Sequence, residues 1–378
     1  MSNVLVSLVS NQTIPNVLFI REMENELGKD VQRYLFVSTE AMENKEKTEF
    51  TILGSCIKKS KTDIIKVVED SIEDINSKLK TWFAEEINDE DNIIVNLTGG
   101  TKIMSIAVYN LFKERKSTIY YLPIGKNKYK QIFPSAKHRE YNLTFRIPLK
   151  DYLISYGIKI TSKDINRTLK DKEYTEYLFR KFLNNEFDIK VIGELRKKRN
   201  EREIPLNEKA KSFLDEIKFD TEKEEILNKK EINYLTGGWF EEYVYNLVRE
   251  HIQLDNDKIG LSVQISRAKT QNEFDVMFVY ENILYVIECK TALKDDGRNL
   301  LNDTLYKLSA LKKDFGLIVR GYLFTLDKNL RDKNGILKSN YQKRADLLGV
   351  QLVDGATLSK KEKLNKIFNR IKGDVENV

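Results

Sequence analysis

Residues 272–290, NEFDVMFVYENILYVIECK, decide how this chain is read. Segments 274–280 and 283–289 are rich in β-branched and aromatic residues, and Glu281-Asn282 is the only break. That pattern predicts two strands joined by a two-residue turn. Antiparallel pairing then sets Tyr280 opposite Ile283, Asp275 opposite Glu288 and Glu273 opposite Lys290. Because side chains alternate along a strand, Glu273, Asp275, Met277 and Val279 share a face with Leu284, Val286, Glu288 and Lys290. This face is apolar near the turn and polar at its open end. Opposed side chains lie ~5 Å apart at Cβ, so two carboxylates there repel. A divalent metal is the obvious compensation.

The flanking segments extend this reading. Trp239 opens a helix after Tyr234-Leu-Thr-Gly-Gly238. At 100° per residue, Phe240, Tyr243, Val244, Leu247 and Val248 share one face. Glu242 then points away to solvent, while Glu241 lies on the flank as a third acid. Residues 262–266 read as a strand with Gln264 towards the site. After the hairpin, 299–313 reads as a helix. Its Tyr306 and Lys307 are expected as a core aromatic and a surface lysine, with approach to the acids as the alternative. Segments 315–319 and 321–325 read as strands, and the basic tail beyond Leu330 as helices with loops.

Phosphodiester cleavage needs an activated water, stabilised phosphoryl charge and help for the leaving oxygen, which a carboxylate-bound divalent metal supplies. Asp275 and Glu288 offer hard oxygens suited to Mg²⁺ or Mn²⁺. Lys290 can orient the water or stabilise negative charge, and acts as a base only if its pKa is lowered. A bare Glu-x-Lys is usually a strand-end salt bridge. Asp275 in register, the apolar strands behind it and the Gly-Gly-Trp-Phe-Glu helix before it favour a metal site here.

The chain has 378 residues, room for two or three domains. Its 41% hydrophobic and 32% charged residues describe a globular protein. A net charge of +6 suits a polyanionic partner without requiring one. Cys56 and Cys289 are the only cysteines, so a disulfide framework is excluded and a cytoplasmic setting is expected. The two histidines, His138 and His251, are too few for a His-based metal cluster. No apolar run approaches the ~20 residues a membrane span needs, and no signal peptide is expected.

The first half alternates predicted strands and helices. Strands are expected at 4–9, 34–37, 63–68, 93–97 and 117–122, with helices at 16–27, after Ser38-Thr39-Glu40, at 71–86 and from Ile103. Alternating βα units imply a mainly parallel sheet with ligands at its carboxyl ends. Ser10, Gln12, Thr13 and Thr39 fall there, as does Thr98-Gly99-Gly100-Thr101-Lys102. The latter is not a P-loop, because the Gly-Lys-Ser/Thr order is missing. Glycines and exposed helix N–H groups can still receive phosphate, although a capped turn with a surface lysine is the simpler local reading. Further strand pieces are expected at 132–133 and 143–147, and a helix at 149–156. From about 161 to 230 the sequence is charged and helix-favouring. Phe179, Phe182 and Leu183 form an apolar patch. The basic run 195–200 reads as a solvated face, with a nucleic-acid-facing helix as the alternative.

On Leu8-Val-Ser-Asn-Gln-Thr-Ile-Pro-Asn16, Asn96-Leu-Thr-Gly-Gly-Thr-Lys-Ile-Met104 and Tyr121-Leu-Pro-Ile-Gly125, the first 150 residues resemble the CARF domains of CRISPR-associated effectors. That resemblance implies a Rossmann-like domain whose two loops bind cyclic oligoadenylate, usually cyclic tetraadenylate, across a two-fold axis, and so a homodimer. Glu241, Asp275 in Asn-Glu-Phe-Asp-Val and Glu288-Cys-Lys290 resemble the PD-(D/E)-x-K nucleases, with Phe274 in place of the proline. This second resemblance implies a restriction-endonuclease-like α/β/α domain in which Glu241, Asp275 and Glu288 hold metal and Lys290 completes the catalytic set. The expected organisation is a sensing domain at 1–150, a mostly helical connector at 151–232 and a nuclease domain at 233–378. The order resembles single-CARF nucleases of type III CRISPR antiviral defence that nick DNA and in some cases cut single-stranded RNA. The alternatives are a ligand-responsive nucleic-acid binder with an inactive nuclease fold and a constitutive restriction-like endonuclease.

Overall fold

The computed structural model describes residues 2–27, 31–135, 139–267, 270–295, 298–312 and 314–373. The first half runs β1 (Asn3–Leu8), α1 (Ile14–Glu26), β2 (Val31–Ser38), α2 (Glu40–Glu43), α3 (Lys47–Ser55), β3 (Thr62–Lys66), α4 (Ile72–Glu86), β4 (Asn92–Asn96), α5 (Lys102–Phe112), β5 (Ser117–Tyr121), β6 (Lys128–Phe133) and β7 (Glu140–Asn142). These strands form one sheet in the order β3-β2-β1-β4-β5-β6-β7. It is parallel through β5 and antiparallel at β6 and β7. The α/β class and the mainly parallel sheet match the expectation from alternating βα units.

The chain continues through α6 (Leu149–Ile154), β8 (Lys159–Ile160), α7 (Lys172–Leu183), α8 (Ile189–Lys197), β9 (Glu203–Pro205), α9 (Glu208–Glu216), β10 (Ile226–Asn228) and α10 (Lys229–Asn233). A π turn at Tyr234–Gly238 leads into α11 (Trp239–Ile252). Then come β11 (Ile259–Arg267), β12 (Thr270–Tyr280), β13 (Ile283–Lys290), β14 (Lys294–Asp295), β15 (Arg298–Asn299), α12 (Leu300–Lys312), β16 (Val319–Thr325), α13 (Ser339–Leu347), β17 (Val350–Asp354), α14 (Gly355–Leu358) and α15 (Lys361–Gly373). The second sheet has the order β17-β16-β13-β12-β11-β8. Strand β8 therefore gives the second sheet an edge from the segment that follows the first.

Apolar packing joins the two sheets. Phe19 and Phe36 of the first sheet's α1 side, Leu149, Leu153 and Tyr156 around α6, and Met277, Val286 and Leu305 belong to one continuous buried cluster. Helix α11 covers the opposite face of the second sheet with Phe240, Val244 and Val248, packed against Val276, Phe278 and Tyr285. The patch on α7 closes over α11, where Phe179 stacks on Tyr243 at 4.2 Å between centroids. That cover corrects the expected exposure of Glu242. Its carboxylate is buried and accepts hydrogen bonds from the backbone N–H groups of Leu169 and Lys170, because the preceding segment folds over that helix face.

Three further expectations change. Residues 143–147 are not a strand: the amides of Thr144 and Phe145 donate to the buried Glu22 carboxylate at 2.8 and 2.7 Å. Residues 315–318 form no strand either, since Gly316 turns the chain at φ +106 and the Leu317 N–H donates to Gln12. Strand β17, on the far edge, was expected only as part of a helical tail. No helix among the described residues is long and apolar enough to cross a membrane.

Candidate functional site

The first candidate site lies where the sheet order reverses. Strands β1 and β4 are neighbours, but β1 leads towards β2 and β4 towards β5, so the loops after them diverge around a crevice. A buried relay braces it: the Asn96 amide donates to Asn16 Oδ1 at 2.9 Å, and the Asn16 amide donates to the Leu8 carbonyl at 2.7 Å. Gly99 has φ +112, and a Cβ on it would lie 2.5 Å from the Leu8 carbonyl oxygen and 3.3 Å from Ser10 Oγ. Any side chain there would push the two loops apart. Gly100, at φ +62, would place a Cβ 3.3 Å from the Leu8 Cβ, a tight side-chain contact.

The predicted ligand residues divide into two groups. Ser10, Gly99 and Gly100 are drawn together, and Lys102 is exposed on the first turn of α5. Thr101 caps that helix through Met104 N and donates to the Glu69 carbonyl at 2.8 Å. Thr13, Thr39 and Thr98 are buried with their hydroxyls engaged, to Ser155 O, Met42 N and Leu122 N respectively. They brace the crevice. Gln12 turns towards the second sheet, where its Oε1 accepts from the Tyr156 hydroxyl at 3.1 Å and the Leu317 N–H at 3.0 Å.

The second candidate site is at the open end of the hairpin. Glu281 and Asn282 have φ +49 and +64, so both turn residues are left-handed, as a tight hairpin of this twist requires. The ladder pairs Tyr280 with Ile283 and ends at Val276 with Ile287. One step further the expected pairing gives way. Asp275 Oδ2 accepts the Cys289 N–H at 2.6 Å and the Lys290 ammonium at 3.0 Å. Lys290 also donates to Glu288 Oε2 at 3.3 Å. Glu273 does not oppose Lys290. Phe274 packs into the same cluster as Met277, so strict alternation fails beside Asp275, and Glu273 comes to face Gln264 at 3.4 Å.

Lys307 was expected on the surface and is in the site. Its ammonium donates to Glu288 Oε1 at 2.7 Å and to the Glu273 carbonyl at 2.8 Å, and lies 5.2 Å from the centre of the Phe274 ring. Tyr306 is exposed, so it is not the core aromatic expected. Glu241, on the first turn of α11, has its Oε2 3.5 Å from Ser262 Oγ.

Burial, then the neighbouring Asp275 charge, pushes the Glu241 carboxyl up to about 8. The same two causes raise Glu288, which is 2% exposed. Burial alone would lower the Lys290 ammonium, but Asp275 and Glu288 outweigh it and hold its pKa above the ordinary lysine value. Asp275 and Glu288 bring hard carboxylate oxygens together around one ammonium, a donor set that fits a divalent cation. Among the described residues, no group of three or more His, Cys, Asp or Glu side chains converges as a ligand set, so Glu241 is coupled to the pair by charge without closing on it.

The surroundings suit a polyanion. A cleft of about 460 Å³ holds Glu241 and Glu273 beside Arg167, Arg199 and Lys230. An adjoining cavity of about 260 Å³ joins Glu241 and Lys290 to Arg196 and Arg199. The basic run expected as a solvated face therefore turns two arginines to the site. Arg196 donates to Thr291 Oγ1 at 3.0 Å and the Thr236 carbonyl at 3.3 Å. Periodicity of α8 could have flagged Arg196, one residue after the buried Leu195.

Comparison with known proteins follows the same division. Residues 4–152 match the family model of the Card1 CARF domain, and residues 228–366 that of the Card1-like endonuclease domain. No curated protein sequence matches the chain. Among solved structures, Can2 from Sulfobacillus thermosulfidooxidans, in complex with cyclic tetra-adenylate, is 21% identical with a TM-score of 0.72, covering 97% of this chain and 99% of that one. Protein VC1899 from Vibrio cholerae is 20% identical at 0.75, covering 98% of each. A type III CRISPR defence DNA nuclease activated by cyclic oligoadenylate is 15% identical at 0.58, covering 92% of this chain and 52% of that one. At these identities the likeness is one of fold.

Proposed function

From a chain that joins a Card1 CARF domain to a Card1-like endonuclease domain, we propose a metal-dependent nuclease of type III CRISPR antiviral defence, switched on by a cyclic oligoadenylate. The observation that carries the reading is the pairing of Asp275 with the buried Glu288, with Lys290 on both carboxylates. Sensing is assigned to residues 1–150, cutting to 233–378 and their connection to 151–232. The ring, taken as cyclic tetraadenylate from the ligand in the Can2 structure, would lie in the β1/β4 crevice against Ser10, Gly99, Gly100 and Lys102. A ring with two-fold symmetry suits two copies, so the working form is a C2 homodimer. Two cysteines in 378 residues favour the cytoplasm.

Asp275 and Glu288 would hold Mn²⁺ or Mg²⁺, with Glu241 closing as a third ligand. When bound, the ion would supply Lewis acidity and an activated water. Lys290, hydrogen-bonded to both carboxylates, would orient the water or stabilise phosphoryl negative charge. Lys307 holds the second oxygen of Glu288 and so positions that carboxylate. Arg167, Arg199 and Lys230 attract the phosphate backbone to the cleft. Gln12, joined to Tyr156 and Leu317, links the sensing loop to the nuclease half. The ring can act only through different affinity for two arrangements of the molecule.

The test is cleavage of plasmid, single-stranded DNA and RNA with Mn²⁺, with and without cyclic tetraadenylate, by the native chain and by Glu288→Ala. Ring-dependent cutting by the native chain alone is expected. Equal cutting by both proteins would sink the site, and indifference to the ring would sink the switch.

A further inference from the structure

We propose that the turn at residues 314–317 carries the position of the sensing loop to Glu288, making Gln12 a positioning residue that acts on the nuclease site through α12. This rests on the ring-switched nuclease reading and names the route of the switch within one chain. The turn is gripped from the sensing side by two side chains. Gln12, in the loop after β1, accepts the Leu317 N–H at 3.0 Å and the Tyr156 hydroxyl at 3.1 Å on one oxygen. From α6, the Tyr152 hydroxyl donates to the Phe315 carbonyl at 3.1 Å in a buried bond. The end of α6 is itself tied to the loop, because the Thr13 hydroxyl donates to the Ser155 carbonyl. Gly316 permits the close approach. At φ +106, a Cβ there would lie 2.2 Å from the Tyr156 hydroxyl oxygen and 3.2 Å from Gln12 Oε1.

Both ends of the route are on named contacts. At the input, the Ser10 hydroxyl donates to the Gln12 carbonyl at 3.1 Å and accepts the Gln12 N–H at 3.2 Å. A ring phosphate that accepts from the Ser10 hydroxyl takes that donor away from Gln12 and disturbs the grip. At the output, the turn follows α12, the helix that carries Lys307. Phe315 is 1% exposed, and its ring meets that of the buried Phe274 edge-on, 5.6 Å between centroids. The Phe274 ring lies 5.2 Å from the Lys307 ammonium, which holds Glu288 Oε1 at 2.7 Å and the Glu273 carbonyl at 2.8 Å. Phe315, Phe274, Leu305 and Leu308 of α12, and Tyr152 belong to one buried cluster. A close-packed interior passes a displacement on instead of absorbing it. A shift of Gln12 therefore reaches the lysine that fixes a site carboxylate.

The test uses the full chain with and without cyclic tetraadenylate. Hydrogen exchange read by mass spectrometry should change over α12 and the turn as well as over the loop after β1. Gln12→Leu keeps the size and removes the acceptor, and Tyr152→Phe removes only the buried hydroxyl. Both variants should still bind the ring by calorimetry, while the exchange response over α12 and the turn is lost. With Mn²⁺, the ratio of kcat/KM with the ring to kcat/KM without it should fall roughly 2- to 30-fold in each, the usual effect of altering one element of a coupled network. A native exchange response confined to the sensing domain would overturn the proposal, as would variants that match the native chain in both readouts. Loss of ring binding in Gln12→Leu would place Gln12 in the ring site and overturn it too. An exchange response at α12 that the variants lose, with no cutting by any protein, would keep the route while sinking the nuclease reading.

Discussion

Lys290 and Lys307 divide the oxygens of Glu288 between them, one on Oε2 at 3.3 Å and the other on Oε1 at 2.7 Å. The two lysines reach it by different routes. Lys290 follows two residues later on the same strand, so strand alternation alone puts it on that face. Lys307 arrives from a helix that crosses back over the sheet, which no local period reveals. If Lys307 positions Glu288, Lys307→Met should lower kcat/KM about 10- to 100-fold, the usual cost of losing a partner to a ligating carboxylate. Ring binding, measured by calorimetry, should be unchanged. A fall in cleavage without that selectivity would point to misfolding. Glu242 teaches the complementary lesson: its helical angle was read correctly as opposite the sheet, but a second layer covers that side.

Among elements, the hairpin β12–β13 is held at both ends. At its turn, Asn282 Oδ1 accepts from Ile147 N at 2.9 Å, while its amide donates to Asn127 Oδ1 at 2.8 Å and the Phe145 carbonyl at 3.0 Å. Glu281 adds Asn127 at 2.7 Å and an ion pair with Arg146. Asn282→Gly keeps the left-handed backbone but removes these bonds, so about 1–3 kcal/mol of stability should be lost, measured by urea unfolding. Asn282→Ala should cost a further ~1 kcal/mol for its positive φ. Equal stability of the native and glycine proteins would mean that water replaces the clasp. On the far edge, β17 ends in Asp354, which Arg331 grips through two nitrogens. Burial alone would raise this carboxyl, but the Arg331 and Thr357 hydrogen bonds outweigh it and hold its pKa below the ordinary value. The folded pKa is depressed, so the stabilisation is present above the unfolded value of about 3.9 and is lost as pH falls through the folded one. Arg331→Met should therefore lower the thermal midpoint at pH 7, by an amount that shrinks as pH falls below about 3.9. A deficit that stays constant as pH falls would remove the ion pair as its cause.

At the scale of the whole molecule, one buried cluster runs from α1 through α6 to the hairpin's lower face. Neither sheet can unfold without exposing the apolar surface of the other. Calorimetry should therefore show one transition, and two resolved peaks would contradict the shared core. Cyclic tetraadenylate should raise that single midpoint, by about 2.7 kcal/mol of stabilisation at 100 times its Kd. A midpoint that does not move at saturating ring would argue against binding.

The mainly parallel first sheet and the hairpin turn were legible in the sequence, as was the gathering of Asp275, Glu288 and Lys290 at the hairpin's open end, although the ladder stops short of the expected Asp275–Glu288 pairing. All of these follow from local periods and turn chemistry, because neighbours along one strand or across a two-residue turn have fixed geometry. The glycines of the β1/β4 crevice were legible for the same reason, since positive φ and close approach leave few other residues possible. The tertiary structure alone shows what covers Glu242, that Lys307 reaches Glu288, that Arg196 lines the cavity holding Glu241, that the Thr144 and Phe145 amides go to Glu22, and that Gln12 faces the nuclease half. Each depends on which distant segment packs where. That choice is made by summed burial over the whole chain, which a local pattern does not encode.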